Sequence, residues 1–390
     1  MTRAARRVRH LPGGGLAALL SGGRTDLVNL AVGTPAYPQT PPELIDRACA
    51  ALRSGVNQYA DPVGDPALRE RLAASLPGAP DPATEITITV GGSEGLCVAL
   101  LTTVDPGDEV VVLEPFYENF VSAIAMAGGR PRFVRLREPD WTLDEAELAA
   151  AFSSRTKAVI INSPSNPTGT LLDRPQLEHL ADLCTKWDVT VISDEVYAPY
   201  VYDGRTHCSA AAIPALADRS IVVGSLSKTH TVSGWRLGYL RARPRWTSLL
   251  RQVHVATTAG APSPLQRAAA EAGLFGPPAW DPAPLLSAQR DRTVRMLREA
   301  GFDCASPPGG CYVMAGIRGL TTEDSPTFTR VLAADAGVLL APGTAFFADP
   351  ARGAGYVRVA FNRPPHTLDQ AEQRLRDLAR DRTAHRVTRR

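Results

Sequence analysis

The chain is poor in lysine. Of its 42 basic side chains only three, Lys157, Lys186 and Lys228, carry a primary amine. A coding bias toward arginine accounts for the ratio, yet any chemistry that requires an amine has few candidates. Cysteine is also scarce: Cys49, Cys97, Cys184, Cys208, Cys304 and Cys311 include no CxxC pair and no histidine at metal-ligand spacing. That argues against a metal site and a disulfide framework, and it predicts buried free thiols in a reducing, cytoplasmic setting. No apolar run approaches the roughly 18 residues of a membrane span. Leu16–Leu20 follows a basic stretch but is far too short for the apolar region of a signal peptide. Charge of one sign is lacking too. A net charge of +2 over 390 residues gives no electrostatic case for a nucleic-acid partner. The basic ends (Arg3, Arg6, Arg7, Arg9, Arg386, Arg389, Arg390) read as solvated tails.

What is present is an ordinary globular balance, 44% apolar and 21% charged, in a chain long enough for a large core and a smaller second domain. Short β-branched runs alternate with helical patterns. The strands expected are Ile86–Val90, Glu109–Leu113, Lys157–Ile161, Val189–Ser193, Ser220–Gly224 and Leu237–Arg241. Between them lie helices expected at Glu94–Val104, Tyr117–Ala127, Asp144–Phe152 and Pro175–Trp187. Strands this apolar predict a mainly parallel sheet covered on both faces. Upstream, Asp65-Pro66 marks a helix start. Pro41-Pro42 opens a helix with Leu44, Ile45, Ala48, Cys49 and Leu52 on its apolar face. After Gly276-Pro277-Pro278 the texture changes to a long helix, two strands (near Cys311–Ile317 and at Tyr356–Phe361) and two more helices, with fraying expected past Arg380. The division expected is an N-terminal arm with part of a small domain (residues 1–40), a large domain (41–280) and a C-terminal small domain (281–390).

Open α/β sheets bind ligands at the C-terminal ends of their strands, and four such segments are polar. Val90-Gly91-Gly92-Ser93-Glu94-Gly95 turns from strand to helix, where free N–H groups meet an anion; it matches neither a Walker loop nor GxGxxG. Asn162-Ser163-Pro164-Ser165-Asn166-Pro167-Thr168-Gly169 is a stiff loop that fixes Asn166. Ser193-Asp194-Glu195-Val196-Tyr197 leaves a carboxylate at the end of a buried strand, costly unless it meets a cation. Ser225-Leu226-Ser227-Lys228 places an amine beyond a core strand, and Arg236 follows it. Each segment alone also fits a tight turn or a structural polar group. Together they meet the needs of pyridoxal phosphate (PLP). An aldehyde needs an amine that arginine cannot supply, and a phosphate needs a helix N-terminus, hydroxyls and arginine. A protonated pyridine needs a carboxylate.

Asn-Pro-x-Gly, Ser-Asp-Glu-x-Tyr and Ser-x-Ser-Lys…Gly-x-Arg-x-Gly, in this order, resemble the class I/II aminotransferases of PLP fold type I over nearly the whole chain. The resemblance implies an α/β fold with a mainly parallel seven-stranded sheet between helices and a smaller α+β domain. It implies PLP held by Lys228 as an aldimine, with Lys228 then moving the proton. Asp194 would pair with the pyridine nitrogen, Asn166 and Tyr197 would hold the ring hydroxyl, and Tyr117 would stack on the ring. Ser93, the backbone at Glu94, Ser225 and Arg236 would bind phosphate. Arg358 would clamp the substrate carboxylate, with Gly33 and Asn166 in the substrate wall. Tyr59 would reach the phosphate of a neighbouring subunit, so a homodimer with shared sites is expected.

The chain departs from the family pattern at His230 and at Ala36 within Gly33–Tyr37. His230 reads as a core or supporting histidine. Glu114–Phe120 and Ser193–Gly204 look most like the kynurenine/glutamine and methionine transaminase branch, which implies an aromatic or other neutral amino acid and a 2-oxo acid as substrates. The alternative on the same scaffold is PLP-dependent elimination, replacement or cyclisation. A regulator with a DNA-binding domain ahead of this fold is not expected, since family-like sequence begins within the first thirty residues.

Overall fold

The computed structural model describes residues 5, 7, 8, 11, 26–275 and 280–387, the last seven as backbone alone. Leu16–Leu20, the Gly276–Pro278 break, Arg3, Arg6, Arg9, Arg389 and Arg390 lie outside these residues, as does the side chain of Arg386. The strands, in chain order, are β1 (Val28–Asn29), β2 (Ile86–Val90), β3 (Glu109–Glu114), β4 (Arg130–Arg135), β5 (Thr156–Asn162) and β6 (Thr190–Asp194). They continue as β7 (Ser220–Ser225), β8 (Leu237–Arg241), β9 (Tyr312–Gly316), β10 (Val338–Leu339), β11 (Ala341–Pro342) and β12 (Tyr356–Ala360).

Seven strands form one sheet in the order β2-β8-β7-β6-β5-β3-β4. Only β8 runs against the others. Alternate side chains serve opposite faces, as strand geometry requires. Val110, Val112, Ala158, Ile160 and Ile192 pack under the helices Gly91–Thr103, Glu118–Ala127 and Pro244–Thr257. Val111, Val159, Ile161 and Val191 pack under Arg174–Trp187. Each of these strand side chains is at most 2% exposed, which is worth about 1.5–3 kcal/mol per valine or isoleucine.

The six expected strands are present within a residue of their ends. The seventh, β4, reads Arg-Pro-Arg-Phe-Val-Arg, is mostly solvent-facing and pairs only with β3. Proline and charge mark it as an edge strand that resists pairing with another chain, and they also hide it from a hydrophobic pattern. The helices Pro244–Thr257 and Ser263–Glu271 were likewise not anticipated. Asp65 caps its helix as expected, accepting from the N–H groups of Ala67 and Leu68. The helix Pro42–Arg53 corrects the sequence reading: Leu44, Ala48 and Ala51 are buried, whereas Ile45 and Leu52 are each 49% exposed and Cys49 is exposed. The apolar stripe is wider than the core beneath it. Of the other thiols Cys184, Cys304 and Cys311 are buried, while Cys97 and Cys208 are half-buried, so the expected burial holds for only half of the six.

Beyond the large sheet, β9, β11 and β12 form a three-stranded antiparallel sheet, and β1 pairs in parallel with β10. The strand β1, ahead of the large sheet in the chain, therefore joins the C-terminal part. The final helix, Pro365–Val387, continues past the expected fraying point.

Candidate active site

The C-terminal ends of β5, β6 and β7 open on a cavity of about 380 Å³. Its wall includes Gly92, Ser93, Tyr117, Asn166, Asp194, Tyr197, Ser225, Lys228, Arg236, Gly33 and Arg358. Nearly every residue expected at the site thus meets in one place. Glu94, expected through its backbone, turns its carboxylate to the Val90 N–H and to His254, and Tyr59, expected at a neighbouring subunit's site, is 94% exposed.

Lys228 sits in a short helical turn capped by Ser225, whose hydroxyl accepts from Ser227 N at 3.1 Å. Lys228 Nζ donates to Gly33 O at 3.2 Å. Burial, helped by the positive charges of Arg358 and Arg236, lowers the pKa of this amine, while Cys311 and Asp194 act the other way. Asp194 ends β6 and is 7% exposed. Its carboxylate accepts from Val196 N at 3.2 Å, and burial pushes its pKa up to about 7. A carboxylate so placed costs free energy unless a cation from outside the chain meets it.

Asn162 donates to the Asp194 carbonyl at 2.9 Å and accepts from Asn166 N at 2.7 Å, so it sets the loop that carries Asn166. Arg358, in β12 and 2% exposed, donates from Nη1 to Asn166 Oδ1 at 2.9 Å and from Nη2 to Ala31 O at 2.7 Å. It lies over the Tyr312 ring at 4.2 Å and over Phe346 at 4.7 Å, while its buried Nε has no partner among the described residues. Tyr197 is buried with its hydroxyl 3.2 Å from that of Tyr312. Burial raises the pKa of both phenols, and that of Tyr117 to about 12, so all three stay protonated donors near neutral pH.

On the phosphate side, Gly91 holds φ +74 and a Cβ there would overlap the Arg236 guanidinium. Arg236 itself is held by a bond to Ser233 O at 3.1 Å. Ser225 Oγ donates to Leu237 O at 3.2 Å, so it is mostly committed to the protein. Ser227 Oγ is buried in the same wall without a partner among the described residues and is the freer hydroxyl. Sequence reading named Ser225 and passed over Ser227, although the repeated serine two residues apart was the available signal. It also missed Tyr312, Asn162 and Val196 in the wall. Nothing local marks Tyr312: it matters because Gly33, 279 residues earlier, leaves room for its ring. His230 stands outside this wall, buried against Phe275, and burial lowers its pKa to about 4. That is the core histidine expected.

The site can therefore take a group with an aldehyde, a dianion and a basic ring nitrogen. The residues fit PLP on three observations in one wall: a buried carboxylate with a raised pKa, a serine hydroxyl with no partner among the described residues, and an amine whose pKa burial lowers.

Residues 25–375 match the aminotransferase class I and II family. Human kynurenine–oxoglutarate transaminase 1 is 33% identical, covering 90% of this chain and 92% of its own. Aspartate aminotransferase of Pyrococcus abyssi is 32% identical over 93% of this chain and 94% of its own. Among solved structures, N-succinyldiaminopimelate aminotransferase from Mycobacterium tuberculosis superposes with a TM-score of 0.90 at 33% identity, over 96% of this chain and 100% of that one. An Escherichia coli protein with a methionine aminotransferase function gives a TM-score of 0.88 at 30% identity, over 97% and 100%. With its mainly parallel sheet, its strand-end amine and these relatives, the chain belongs to the class I and II aminotransferases of fold type I.

Proposed function

We propose that this aminotransferase uses PLP on Lys228 and takes L-amino acids with neutral side chains, aromatic ones included, passing the amino group to a 2-oxo acid. The observation that carries this is the convergence of Lys228, Asp194 and Arg358 on one cavity. Lys228, Arg236 and Arg358 are the cations in that wall among the described residues. The amine, the phosphate and the substrate carboxylate would occupy one each, which leaves none from this chain for an acidic side chain. Relatives of similar identity are named for kynurenine, aspartate, N-succinyldiaminopimelate and methionine, so the wall, not the relatives, supports the choice.

PLP supplies an aldehyde for imine chemistry and a ring that draws electrons from the substrate's Cα–H bond. Asp194 would hold a proton on the ring nitrogen. Lys228 Nζ, its pKa already lowered, would take the proton from the substrate Cα and deliver it two bonds away, to the carbon across the imine nitrogen. Asn166, whose Oδ1 is fixed by Arg358, has its amide N–H groups free to donate to the ring hydroxyl together with Tyr197. Arg358 orients the α-carboxylate, since each terminal nitrogen keeps a second N–H.

A homodimer and a cytoplasmic setting complete the reading. The exposure of Ile45 and Leu52 on one helix and of Tyr59 in the loop after it supports a second subunit, and six free cysteines support a reducing compartment. The test is direct. Purified protein should be yellow and carry a borohydride-reducible adduct that Lys228→Ala abolishes; an adduct that persists in the variant refutes the assignment. Incubation with an amino acid should yield pyridoxamine phosphate and a 2-oxo acid, whereas ammonia or a cyclised product would favour elimination or cyclisation.

A further inference from the structure

The helix Gly91–Thr103 starts at the phosphate side of the cavity with Gly92 and Ser93 in the wall. Its first turn also carries Glu94, an acid in an awkward place. A carboxylate there stabilises the helix, but it cancels the positive N-terminal potential that a phosphate dianion needs. Glu94 faces away from this task. Its Oε2 accepts from Val90 N at 2.6 Å, and its Oε1 accepts from His254 Nδ1 and Thr258 Oγ1, both at 2.7 Å. His254 belongs to the helix Pro244–Thr257 and is 0% exposed. Its other nitrogen donates to Pro62 O at 2.8 Å. A carbonyl and an ionised carboxylate only accept, so these partners assign a proton to both ring nitrogens.

Pro62 closes the loop that presents Tyr59, and the hydroxyl of Ser263 ties the same loop at Gln58 O. One buried cation therefore touches both the helix aimed at the phosphate and the loop whose tyrosine is offered to a neighbour. We propose that His254 is a positioning residue for the cofactor phosphate: it neutralises Glu94 beneath the phosphate-facing helix and clamps the Tyr59 loop to that helix. This rests on the PLP reading above, and His254 itself does not reach the cavity wall.

The test is spectral titration of the cofactor-free protein with PLP and with pyridoxal, which lacks the phosphate. His254→Asn keeps a donor toward Glu94 but removes the charge and the bond to Pro62. It should weaken PLP at least about tenfold and pyridoxal less than about twofold. Adding Glu94→Gln to the same chain removes the uncompensated acid and should restore most of the lost PLP affinity, which a merely structural defect would not allow. His254→Gln, which retains the donor to Pro62, gives a second chain for the same comparison should the first not fold. Equal losses for both ligands, no loss for either, or a deeper loss on adding Glu94→Gln would overturn the proposal. A wild-type protein that fails to bind PLP would instead sink the functional reading, so the two failures are told apart.

Discussion

The cofactor side of the cavity and its substrate side are built in different ways. The first hangs from neighbouring strands of one sheet: Asn162 and Asn166 at and after β5, Asp194 and Tyr197 at and after β6, Lys228 after β7, and Arg236 ahead of β8. Each lies within a few residues of a buried strand, so its position follows from the sheet's own packing. The second side joins residues 31–34 to Tyr312 and Arg358, pieces distant in the chain and brought together by the pairing of β1 with β10 and of β9 with β12 and by bonds such as Ala360 N to Leu30 O and Arg358 to Ala31 O. A site on adjacent strand ends inherits its geometry from the commonest element of the fold. A site made from distant segments depends on every contact between them.

If that contrast holds, substitutions on the cofactor side should act through chemistry and those on the substrate side through fit. The largest effect falls on Asp194→Asn. In the PLP-loaded enzyme the variant cannot hold a proton on the ring nitrogen, and transamination should drop about 10²–10⁴-fold with little change in KM. In the cofactor-free protein the sign reverses. Burial raises the pKa of Asp194 to about 7, so the folded state holds its proton more tightly than the unfolded chain, where the value is about 3.9. The resulting penalty is absent below pH about 4, grows as pH rises to about 7, and stays full above that. Thermal unfolding of the cofactor-free wild type should therefore lose a few kcal/mol across that window, and Asp194→Asn should lose less. Equal pH profiles for the two proteins would show that the carboxylate is not the strained group.

Arg358→Lys probes the substrate side. Lysine cannot span Asn166 Oδ1 and Ala31 O at once, nor lie flat on Tyr312 as the guanidinium does. KM for both amino acid and oxo acid should rise about 10–100-fold while PLP affinity stays within about twofold. A PLP affinity that falls as far as KM rises would merge the two sides and end the distinction.

How much was legible in the sequence follows the same line. Lys228, Asp194 and Asn166 were readable because each sits where a hydrophobic strand stops and a polar loop begins, and Arg236 because it sits where a polar loop runs into one, boundaries set by local pattern. Arg358 was readable because a charge inside the apolar run Tyr356–Ala360 contradicts its surroundings. Tyr312 was not, since a tyrosine in a strand is ordinary until Gly33 is known to face it. Strand β4 escaped because an edge strand is solvated and carries no apolar signal. The outward half of Pro42–Arg53 misled, because apolar spacing cannot say whether the burying surface belongs to this chain or to another copy.

The smallest expected effect tests the long-range contact itself. Tyr312→Phe removes the hydroxyl that sits 3.2 Å from Tyr197 and should lower kcat/KM about fivefold, the worth of one hydrogen bond of about 1 kcal/mol. Gly33→Ala should do more harm, because its Cβ would overlap the Tyr312 hydroxyl and lie 2.6 Å and 2.9 Å from the ring carbons Cζ and Cε1. In the double variant the hydroxyl clash is gone but the ring clash remains, so the two losses should combine to less than their product without cancelling. Full multiplication would mean that residues 31–34 and β9 do not meet at this point. The substrate side would then need another wall.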